Sequence, residues 1–231
     1  MEFDKLRKII WEYTGSFFSQ YPIIIQAGAH QGEVCIDKFK LYPTSTIYAF
    51  EPCKKSYNIC NDRIKNEEIK NVTLFNIGLS NIDSTGILNI STTSNTNSLY
   101  KVNNNLPYKT TSDQTNETEI INMINLSNWC SNNNISVIDL LYLNIEGHEL
   151  KALEGSCDIL KNVKTIAIEV NFVEIWTNTP LFNELDAFLK KHNFYLSMHD
   201  CRPYYNWTNI QHLAIYINKS LYSSNYQLKQ K

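Results

Sequence analysis

The sequence predicts one α/β domain built on a mostly parallel sheet with helices on both faces. Segments typical of strands alternate with segments typical of helices along most of the 231 residues. A loop at residues 28–32, with a glycine at each end, joins the first strand to the first helix. The last two strand-like segments, 194–199 and 212–218, have no helix between them and predict a hairpin, and hence one antiparallel strand.

The first half of the chain supplies three of the predicted strands. Residues 3–18 carry apolar side chains at helical spacing and predict a helix that covers one end of the sheet. The predicted strands are 23–27, 45–50 and 72–77, with helices from Gly32 to about residue 41 and over 54–64. Pro52 should end the second strand, because proline cannot donate to a central ladder.

A polar segment, residues 92–118, is rich in Asn, Ser and Thr and contains Pro107. It is too long for a plain connection, so we expect either a flexible lid or a short hairpin region. A linker between two domains is disfavoured, because each half alone would lack a full set of strands.

The second half of the chain contains the predicted centre of the sheet. Residues 137–143 form a nearly continuous apolar run, which is typical of a parallel strand buried on both faces. The other predicted elements are helices at 126–131, 146–160 and 182–192, a strand at 165–170, and a connection at 200–211 between the last two strands.

Composition argues against several classes of protein. The net charge of −2 disfavours a nucleic-acid binder, which normally presents a basic face. No apolar run has the length of a membrane span, and the first residues lack the apolar core of a secretory signal. The six cysteines include no C-x-x-C pair, which is typical of free thiols in a reducing compartment. We therefore expect a cytoplasmic protein.

We expect three parts along the chain. They are a helical extension at 1–20, the α/β domain at 21–220 and a tail at 221–231. Within the domain, polar or glycine-rich loops follow four predicted parallel strands, at 26–32, 51–52, 76–80 and 144–149. Because the C-terminal ends of parallel strands meet at the ligand crevice of an open α/β sheet, we expect these loops to form one site.

The first two loops are typical of a site for a nucleotide-like cofactor. Gly28 and Gly32 let the backbone approach a ligand closely, and the helix behind them offers free N–H groups. Glu51 lies 19 residues beyond Gly32, near the spacing of about 20 expected for a carboxylate that accepts ribose hydroxyls. A solvated strand-end glutamate is the alternative. His30 is either a left-handed turn residue or a hydrogen-bond partner of the ligand.

The loop after the central strand carries the candidate catalytic groups. Asn144, Glu146 and Glu149 follow the buried strand directly, although capping of a helix dipole is an alternative role for both glutamates. His148 is either a general base or a structural histidine. Glu146, Glu149 and Glu169 are the carboxylates that a metal would use, but their spacing matches no recognised ligand pattern, and we predict no metal.

Together these motifs resemble the FkbM-like branch of class I S-adenosylmethionine-dependent methyltransferases. The resemblance spans about residues 23–196. It rests on Q-A-G-A-H-Q-G at 26–32, A-F-E-P at 49–52, I-G-L-S-N at 77–81, N-S-L at 97–99, I-A-I-E at 166–169 and residues 139–155, a version of D-L-L-K-I-D-x-E-G-x-E-x-x-V-L-x-G. Each motif alone is weak, and the combination is fairly specific.

The resemblance implies a Rossmann-like, seven-stranded sheet with an antiparallel last strand. It also implies methyl transfer from S-adenosylmethionine, usually to a hydroxyl of a sugar or another small metabolite. The cofactor residues that it implies are Gln26, Ala27, Gly28, His30 and Gly32 at the methionine half, Glu51 and Pro52 at the ribose, Ile77, Gly78 and Leu79 near the adenine, and Asn144. The candidates for catalysis are Asn144, Glu146, His148 and Glu149, with the base among the last three.

Two positions depart from the family pattern. Gln26 replaces the usual loop acid, and Asn144 replaces the acid of I-D-x-E-G. A neutral amide keeps the hydrogen bonds but loses the charge that would pair with the cofactor's ammonium group. The alternatives are a weaker or specialised cofactor site and a module that keeps the fold without the chemistry.

A nicotinamide-dependent dehydrogenase is a further alternative, since a glycine loop and a ribose acid serve both cofactors. The missing G-x-G-x-x-G spacing counts against it. We expect a small-molecule or glycan acceptor and neither a nucleic acid nor a membrane as partner. The sequence leaves the oligomeric state open.

Overall fold

The computed structural model describes residues 2–106, 113–199 and 210–221 and shows an α/β protein with two sheets. The strands are β1 (Ile23–Ala27), β2 (Thr46–Phe50), β3 (Val72–Phe75), β4 (Gly78–Ser80), β5 (Ser84–Ser91), β6 (Gln114–Asn125), β7 (Ile138–Leu143), β8 (Val163–Asn171), β9 (Phe194–His199) and β10 (Gln211–Asn218). The helices are α1 (Glu2–Gly15), α2 (Glu33–Leu41), α3 (Lys54–Asn66), α4 (Leu126–Asn132), α5 (Glu149–Glu154), α6 (Cys157–Leu160) and α7 (Phe182–Lys191), with a short 3₁₀ helix at Ser94–Thr96.

The predicted seven-stranded, mostly parallel sheet is confirmed. Its strand order is β3-β2-β1-β7-β8-β10-β9. Neighbours from β3 to β8 run parallel, whereas β10 runs antiparallel to both β8 and β9. The last strand is therefore the antiparallel one, and the strand order reverses between β1 and β7, which is where an open sheet forms its crevice.

The central strand is β7, as its apolar run predicts. All six of its residues are buried. Leu141 and Leu143 pack with α4, α5, α6 and α7 on one face, and Leu140 and Tyr142 pack with α1, α2 and α3 on the other. Helices cover both faces because the strand presents apolar side chains to both.

A second sheet, with the order β4-β6-β5, is absent from the sequence prediction. The predicted strand at 72–77 is wrong at its end, because β3 stops at Phe75 and residues 78–80 pair with β6 instead. Few side chains point inward from this small sheet, chiefly Leu88, Ile121 and Met123, and Ile87 and Ile120 are exposed. The alternation of polar and apolar residues is therefore too weak to reveal it from sequence.

The polar segment at 92–118 is the connection between β5 and β6, of which residues 107–112 lie outside the described residues. The antiparallel pairing of β5 with β6 agrees with the hairpin alternative. Val102 forms a β-bridge with Trp176, and the Thr177 N–H donates to the Lys101 carbonyl (2.8 Å). These contacts attach the segment to the loop that follows β8.

The predicted helix at 146–160 begins later than expected. Glu146 and Gly147 have φ angles of 53° and 99°, which an α-helix of L-residues does not contain. The helix α5 therefore starts at Glu149, and α6 follows after a break at residues 155–156. Glu146 thus lies in a turn and does not cap the helix, whereas Glu149 does belong to its first turn.

The remaining expectations concern the thiols, the membrane and the termini. Free thiols are found at Cys35, Cys53, Cys60, Cys130 and Cys157, all buried except the last. Cys201, most of the connection at 200–211 and the tail beyond residue 221 lie outside the described residues. Among the described helices, none has the length and apolar character required to cross a membrane. The division at residues 20 and 220 remains a prediction.

Asp139 joins several segments at the end of the sheet opposite the predicted site. Its buried carboxylate accepts hydrogen bonds from the backbone N–H groups of Ser19 (2.7 Å) and Ile23 (3.0 Å) and from the Lys164 ammonium group (2.7 Å). It thereby attaches the chain before β1 to the first residues of β7 and β8.

We expect Asp139→Ala to lower the free energy of unfolding by about 3 kcal/mol, because two backbone donors and an ammonium group lose their acceptor. Urea denaturation followed by circular dichroism measures this change. Asp62→Ala, at an exposed position on α3, is the control and should change stability by less than about 0.5 kcal/mol. Equal stabilities for the two variants would contradict the role of Asp139.

Candidate active site

A cavity of about 670 Å³ lies at the C-terminal ends of β1, β2, β7 and β8. This volume is typical of a pocket for a small molecule or cofactor. Ten of the residues predicted for the site line it: Ala27, Gly28, His30, Glu51, Pro52, Gly78, Leu79, Asn144, Glu146 and His148. Four others, Gln26, Gly32, Ile77 and Glu149, are not among the residues that line it.

The floor of the cavity is formed where the glycine loop meets the end of β7. Gly28 has a φ angle of 79°, and a Cβ atom there would lie 1.9 Å from the Asn144 carbonyl oxygen. The N–H groups of Gly28 and Ala29 both donate to the Phe50 carbonyl (3.0 Å each). The loop is thus held between the ends of β2 and β7, and only glycine fits at its first position.

His30 adopts the left-handed conformation that the turn interpretation requires, with a φ angle of 48°. Its side chain also takes part in the wall of the cavity, since Nε2 lies 2.9 Å from the Ser94 hydroxyl. Its backbone N–H donates to Glu51 Oε2 (2.8 Å). His30 therefore connects the glycine loop both to the polar segment and to the acid at the end of β2.

The carboxylate of Glu51 is held in place by backbone donors. Besides the His30 N–H on Oε2, the Cys53 N–H donates to Oε1 (2.9 Å). Burial raises the pKa of Glu51 to about 7, against the favourable effect of these two hydrogen bonds. Each carboxylate oxygen keeps a further lone pair, so the group can still accept ligand hydroxyls.

Gln26 supports the glycine loop from beneath the cavity. Its side-chain Nε2 donates to the Gly28 carbonyl (3.3 Å), and its Oε1 accepts from Lys38 Nζ (3.3 Å). Lys38 is fully buried, with Nζ 3.6 Å from the centroid of the Tyr142 ring and 4.5 Å from that of Trp11. The Gln26 amide is therefore engaged by the loop and by Lys38, and its contact with a cofactor stays a prediction.

Glu149 supports the turn after β7 in a similar way. Its buried Oε1 accepts a hydrogen bond from the Ile145 N–H (2.9 Å), and burial raises its pKa to about 7. Its carboxylate is therefore engaged by backbone at the turn, outside the cavity lining. Among the described residues no three metal-ligating side chains come together, and Glu146, Glu149 and Glu169 form no such group.

His148 lies in the cavity wall between two hydroxyl groups. Its Nε2 is 3.0 Å from Ser80 Oγ, and its Nδ1 is 3.0 Å from the Tyr100 hydroxyl. Burial lowers the pKa of His148 to about 4. The imidazole is therefore neutral near pH 7, with both nitrogens engaged, and it is a poor candidate for a general base.

One wall of the cavity is formed by the polar segment, which the sequence already offered as a lid or a hairpin region, and by the strands β5 and β6, which it did not predict. The small sheet contributes Leu88, Ile121 and Met123, and the polar segment contributes Ser94, Asn95, Thr96, Asn97 and Leu99. The end of β8 contributes Glu169, and the loop after β8 contributes Ile175. Glu169 carried a usable signal, because it ends an apolar strand in the same way as Glu51. The small-sheet residues carried none.

The carboxylates among the described lining residues have no cationic Lys or Arg counterpart in the lining. They are Glu33, Glu51, Glu146 and Glu169. Such a cavity favours ligands with cationic groups and disfavours phosphates. The set of donors and acceptors therefore fits S-adenosylmethionine, which carries ammonium and sulfonium groups, better than a dinucleotide with its pyrophosphate.

Comparisons with known proteins agree with this assignment. The family model described as the methyltransferase FkbM domain matches residues 26–196. A search of curated proteins finds no match.

Among solved structures, magnesium protoporphyrin IX methyltransferase from Synechocystis PCC 6803 with bound SAM is similar, with a TM-score of 0.55, 7% identity and coverage of 93% of this chain and 79% of that chain. An rRNA methylase from Streptococcus thermophilus is similar with a TM-score of 0.50 and 15% identity, and the match covers 90% of this chain and 92% of that chain. The Methanococcus jannaschii fibrillarin pre-rRNA processing protein is similar with a TM-score of 0.52 and 13% identity, and the match covers 87% of this chain and 68% of that chain. At these identities the likeness concerns the fold.

We expect Gly28→Ala to lower the free energy of unfolding by at least about 2 kcal/mol, because alanine is strained at a positive φ angle and its Cβ overlaps a carbonyl oxygen. Gly78→Ala is the matched control in the same cavity. There a Cβ would meet its nearest atom, Met123 Cγ, at 3.4 Å, an ordinary contact. Its stability should change by less than about 1 kcal/mol. Similar losses in both variants, measured by urea denaturation, would contradict the steric argument.

The raised pKa of Glu51 predicts a pH dependence of stability in the ligand-free protein. The carboxyl has a pKa of about 7 when folded and near 4.5 when unfolded, so between these values the folded state holds a proton that the unfolded state lacks. The contribution of Glu51 to stability therefore falls as the pH rises from about 4.5 to about 7. We expect Glu51→Gln to remove this fall, seen in melting temperatures at about pH 5 and about pH 8.

Two other buried groups also change the pH dependence of stability in this range. Because both are present in the wild type and in the variant, their contributions cancel when the two proteins are compared at the same pH. Glu149 contributes in the same direction as Glu51, and His148, with its lowered pKa, contributes in the opposite direction. Glu117→Gln, at an exposed position on β6, is the control for loss of a carboxylate. A Glu51→Gln variant with the pH dependence of wild type would show that Glu51 is ionised throughout.

Proposed function

Since the chain belongs to the FkbM methyltransferase family, we propose that it transfers the methyl group of S-adenosylmethionine to a hydroxyl of a sugar, a glycan or another small molecule. The enzyme class and the cofactor follow from the family. What we propose beyond this is that the methyl group goes to a hydroxyl oxygen and that the acceptor is a sugar, a glycan or another small molecule.

The observation that carries the proposal is the acidic lining of the cavity. Four glutamates and no described lysine or arginine line the cavity. This supports a cationic cofactor and an acceptor that is neutral or cationic. RNA and sugar phosphates would bring negative charge into the cavity, and RNA binding generally requires a basic surface. A dehydrogenase is disfavoured for the same reason, because its dinucleotide carries a pyrophosphate.

The proposed cofactor site has three parts. The glycine loop around Gly28 would hold the methionine half, with Asn144 beside it offering an amide in place of an acid. Glu51, already held by two backbone N–H groups, would accept the ribose hydroxyls. The apolar side chains of Pro52, Leu79 and Met123 offer a slot for the planar adenine.

We propose Glu146 as the general base. When bound, the cofactor supplies an electrophilic methyl group on a sulfonium. Glu146 lines the cavity, and its position in a left-handed turn brings it out of the helix that follows. There it would remove the acceptor hydroxyl proton as the oxygen attacks. Of the other candidates, Glu149 does not line the cavity, and His148 is a weak base because burial lowers its pKa to about 4.

Positioning supplies the rest of the proposed catalysis. Glu169 ends β8, the strand beside β7, and lines the same cavity as Glu146. In this proposal its carboxylate would accept hydrogen bonds from further hydroxyls of a polyhydroxylated acceptor. The wall at residues 94–99 covers the acceptor part and limits water, so that the acceptor oxygen is held in line with the methyl group.

Isothermal titration of the full chain with S-adenosylmethionine and S-adenosylhomocysteine tests the cofactor site. We expect both to bind, and methyl transfer to appear with neutral or amino sugars in an acceptor panel that also contains uronic acids, sugar phosphates and RNA oligonucleotides. Transfer to RNA alone would overturn the proposed acceptor class. Cofactor binding without transfer to any acceptor would favour a module that has lost the chemistry.

Glu146→Gln should reduce methyl transfer by about 10²–10⁴-fold, the range that general-base catalysis contributes. Its affinity for S-adenosylhomocysteine should stay near that of wild type, because the amide has the size of the carboxylate. Glu117→Gln, which removes an exposed carboxylate from β6, is the control for charge alone. Full activity in Glu146→Gln would exclude Glu146 as the base, and the same assay on Glu169→Gln would then identify the alternative carboxylate.

A further inference from the structure

A chain of hydrogen bonds leads from the cavity wall towards the surface through His148. The Tyr100 hydroxyl lies 3.0 Å from His148 Nδ1, and His148 Nε2 lies 3.0 Å from Ser80 Oγ. Ser80 Oγ lies 3.3 Å from Asn81 Oδ1, and Asn81 Nδ2 lies 3.3 Å from Glu154 Oε2. The chain joins the polar segment, the turn after β7, the strand β4 and the helix α5.

The chemistry of its members sets the direction of this chain. The Asn81 amide donates to the Glu154 carboxylate, so its Oδ1 accepts the Ser80 proton. A serine hydroxyl has one proton, and Ser80 therefore accepts a hydrogen bond from His148 Nε2–H. His148 Nδ1 is then the acceptor for the Tyr100 hydroxyl. The imidazole is fixed in one neutral tautomer, and neither nitrogen remains for an acceptor molecule.

The polar segment is attached to the same turn at a second point. Ser98 Oγ donates to the Glu146 carbonyl (2.7 Å), and the Tyr100 N–H donates to Ser98 Oγ (3.0 Å). Leu99, which lines the cavity, lies between these two attachments. The position of the wall relative to Glu146 thus depends on both Ser98 and the bond between Tyr100 and His148.

We propose that His148 is a positioning residue, which acts through Tyr100 to hold the wall at residues 94–100 over Glu146 and so shapes the acceptor part of the cavity. Its effect on an acceptor rests on the proposed function, whereas the bridge between wall and turn does not. Gly28 and Glu51 lie on other loops, so loss of the bridge should affect acceptor binding far more than cofactor binding.

Tyr100→Phe is the principal variant, because it keeps the ring and removes only the hydroxyl that donates a hydrogen bond to His148 Nδ1. His148→Ala is the second variant. His192→Ala, at the C-terminal end of α7, is the matched control for loss of a histidine. Hydrogen exchange of the full chain, with and without S-adenosylhomocysteine, reports on the wall. Nitrogen-15 spectra of the imidazole rings report on the tautomer of His148.

We expect exchange at the Ser98 and Tyr100 amides to rise by about tenfold in both variants, and that of the β1 amides to stay unchanged. The wild-type ring of His148 should carry its proton on Nε2 alone at about pH 6. With the acceptor identified by the panel, kcat/KM should fall by at least about tenfold, with a rise in KM, while the pH profile of kcat and the affinity for S-adenosylhomocysteine stay as in wild type.

Unchanged exchange in both variants, or a wild-type ring protonated on both nitrogens at about pH 6, would overturn the proposal. So would a variant that loses kcat and the acidic limb of the pH profile at constant KM, because that result identifies His148 as the base. If the wild type binds no S-adenosylhomocysteine and methylates nothing, the proposed function fails. Exchange and ring spectra of the ligand-free protein would then still decide whether the bridge exists.

Discussion

The loops that leave β1 and β7 meet at Gly28 and Asn144, and the geometry of the site depends on this contact. A carbonyl oxygen occupies the space that a Cβ atom of residue 28 would need. The contact thus requires a residue without a side chain that also tolerates a positive φ angle. Because the strand order reverses between these two strands, their contact sets the floor of the crevice. Glu51 is attached to one loop through the His30 N–H, and the wall is attached to the other through the Glu146 carbonyl.

Buried carboxylates that accept backbone hydrogen bonds recur in this fold. Asp139 accepts hydrogen bonds from two backbone N–H groups at one end of the sheet. At the other end, Glu51 and Glu149 also accept hydrogen bonds from backbone N–H groups. At the end of the sheet that carries the cavity, burial disfavours the ionised form of both glutamates and raises their pKa values. The gain is a carboxylate at Glu51 whose orientation is set before any ligand arrives, so little reorganisation accompanies binding.

The main sheet was accessible from sequence because its signals are local. The run in β7 is apolar except for Asp139, so neither of its faces shows the polar alternation of an exposed strand. The glycine loop with Glu51 follows the spacing of a cofactor site. Spacing assigns a residue to a strand end but does not tell which way its side chain points, and for this reason Gln26 and Glu149 were expected in the cavity. The small sheet was inaccessible because few of its side chains are buried, so its strands lack a clear period.

Chain order also separates the parts of the site. The glycine loop and Glu51 come from residues 23–80, whereas the wall residues from Leu88 to Met123 come from one continuous stretch that begins after β4 and ends with β6. This stretch is an insert between β3 and β7 of the main sheet. In genetic terms, recombination or directed evolution confined to this stretch would alter one wall of the cavity while β1, β2 and β7 keep their sequence.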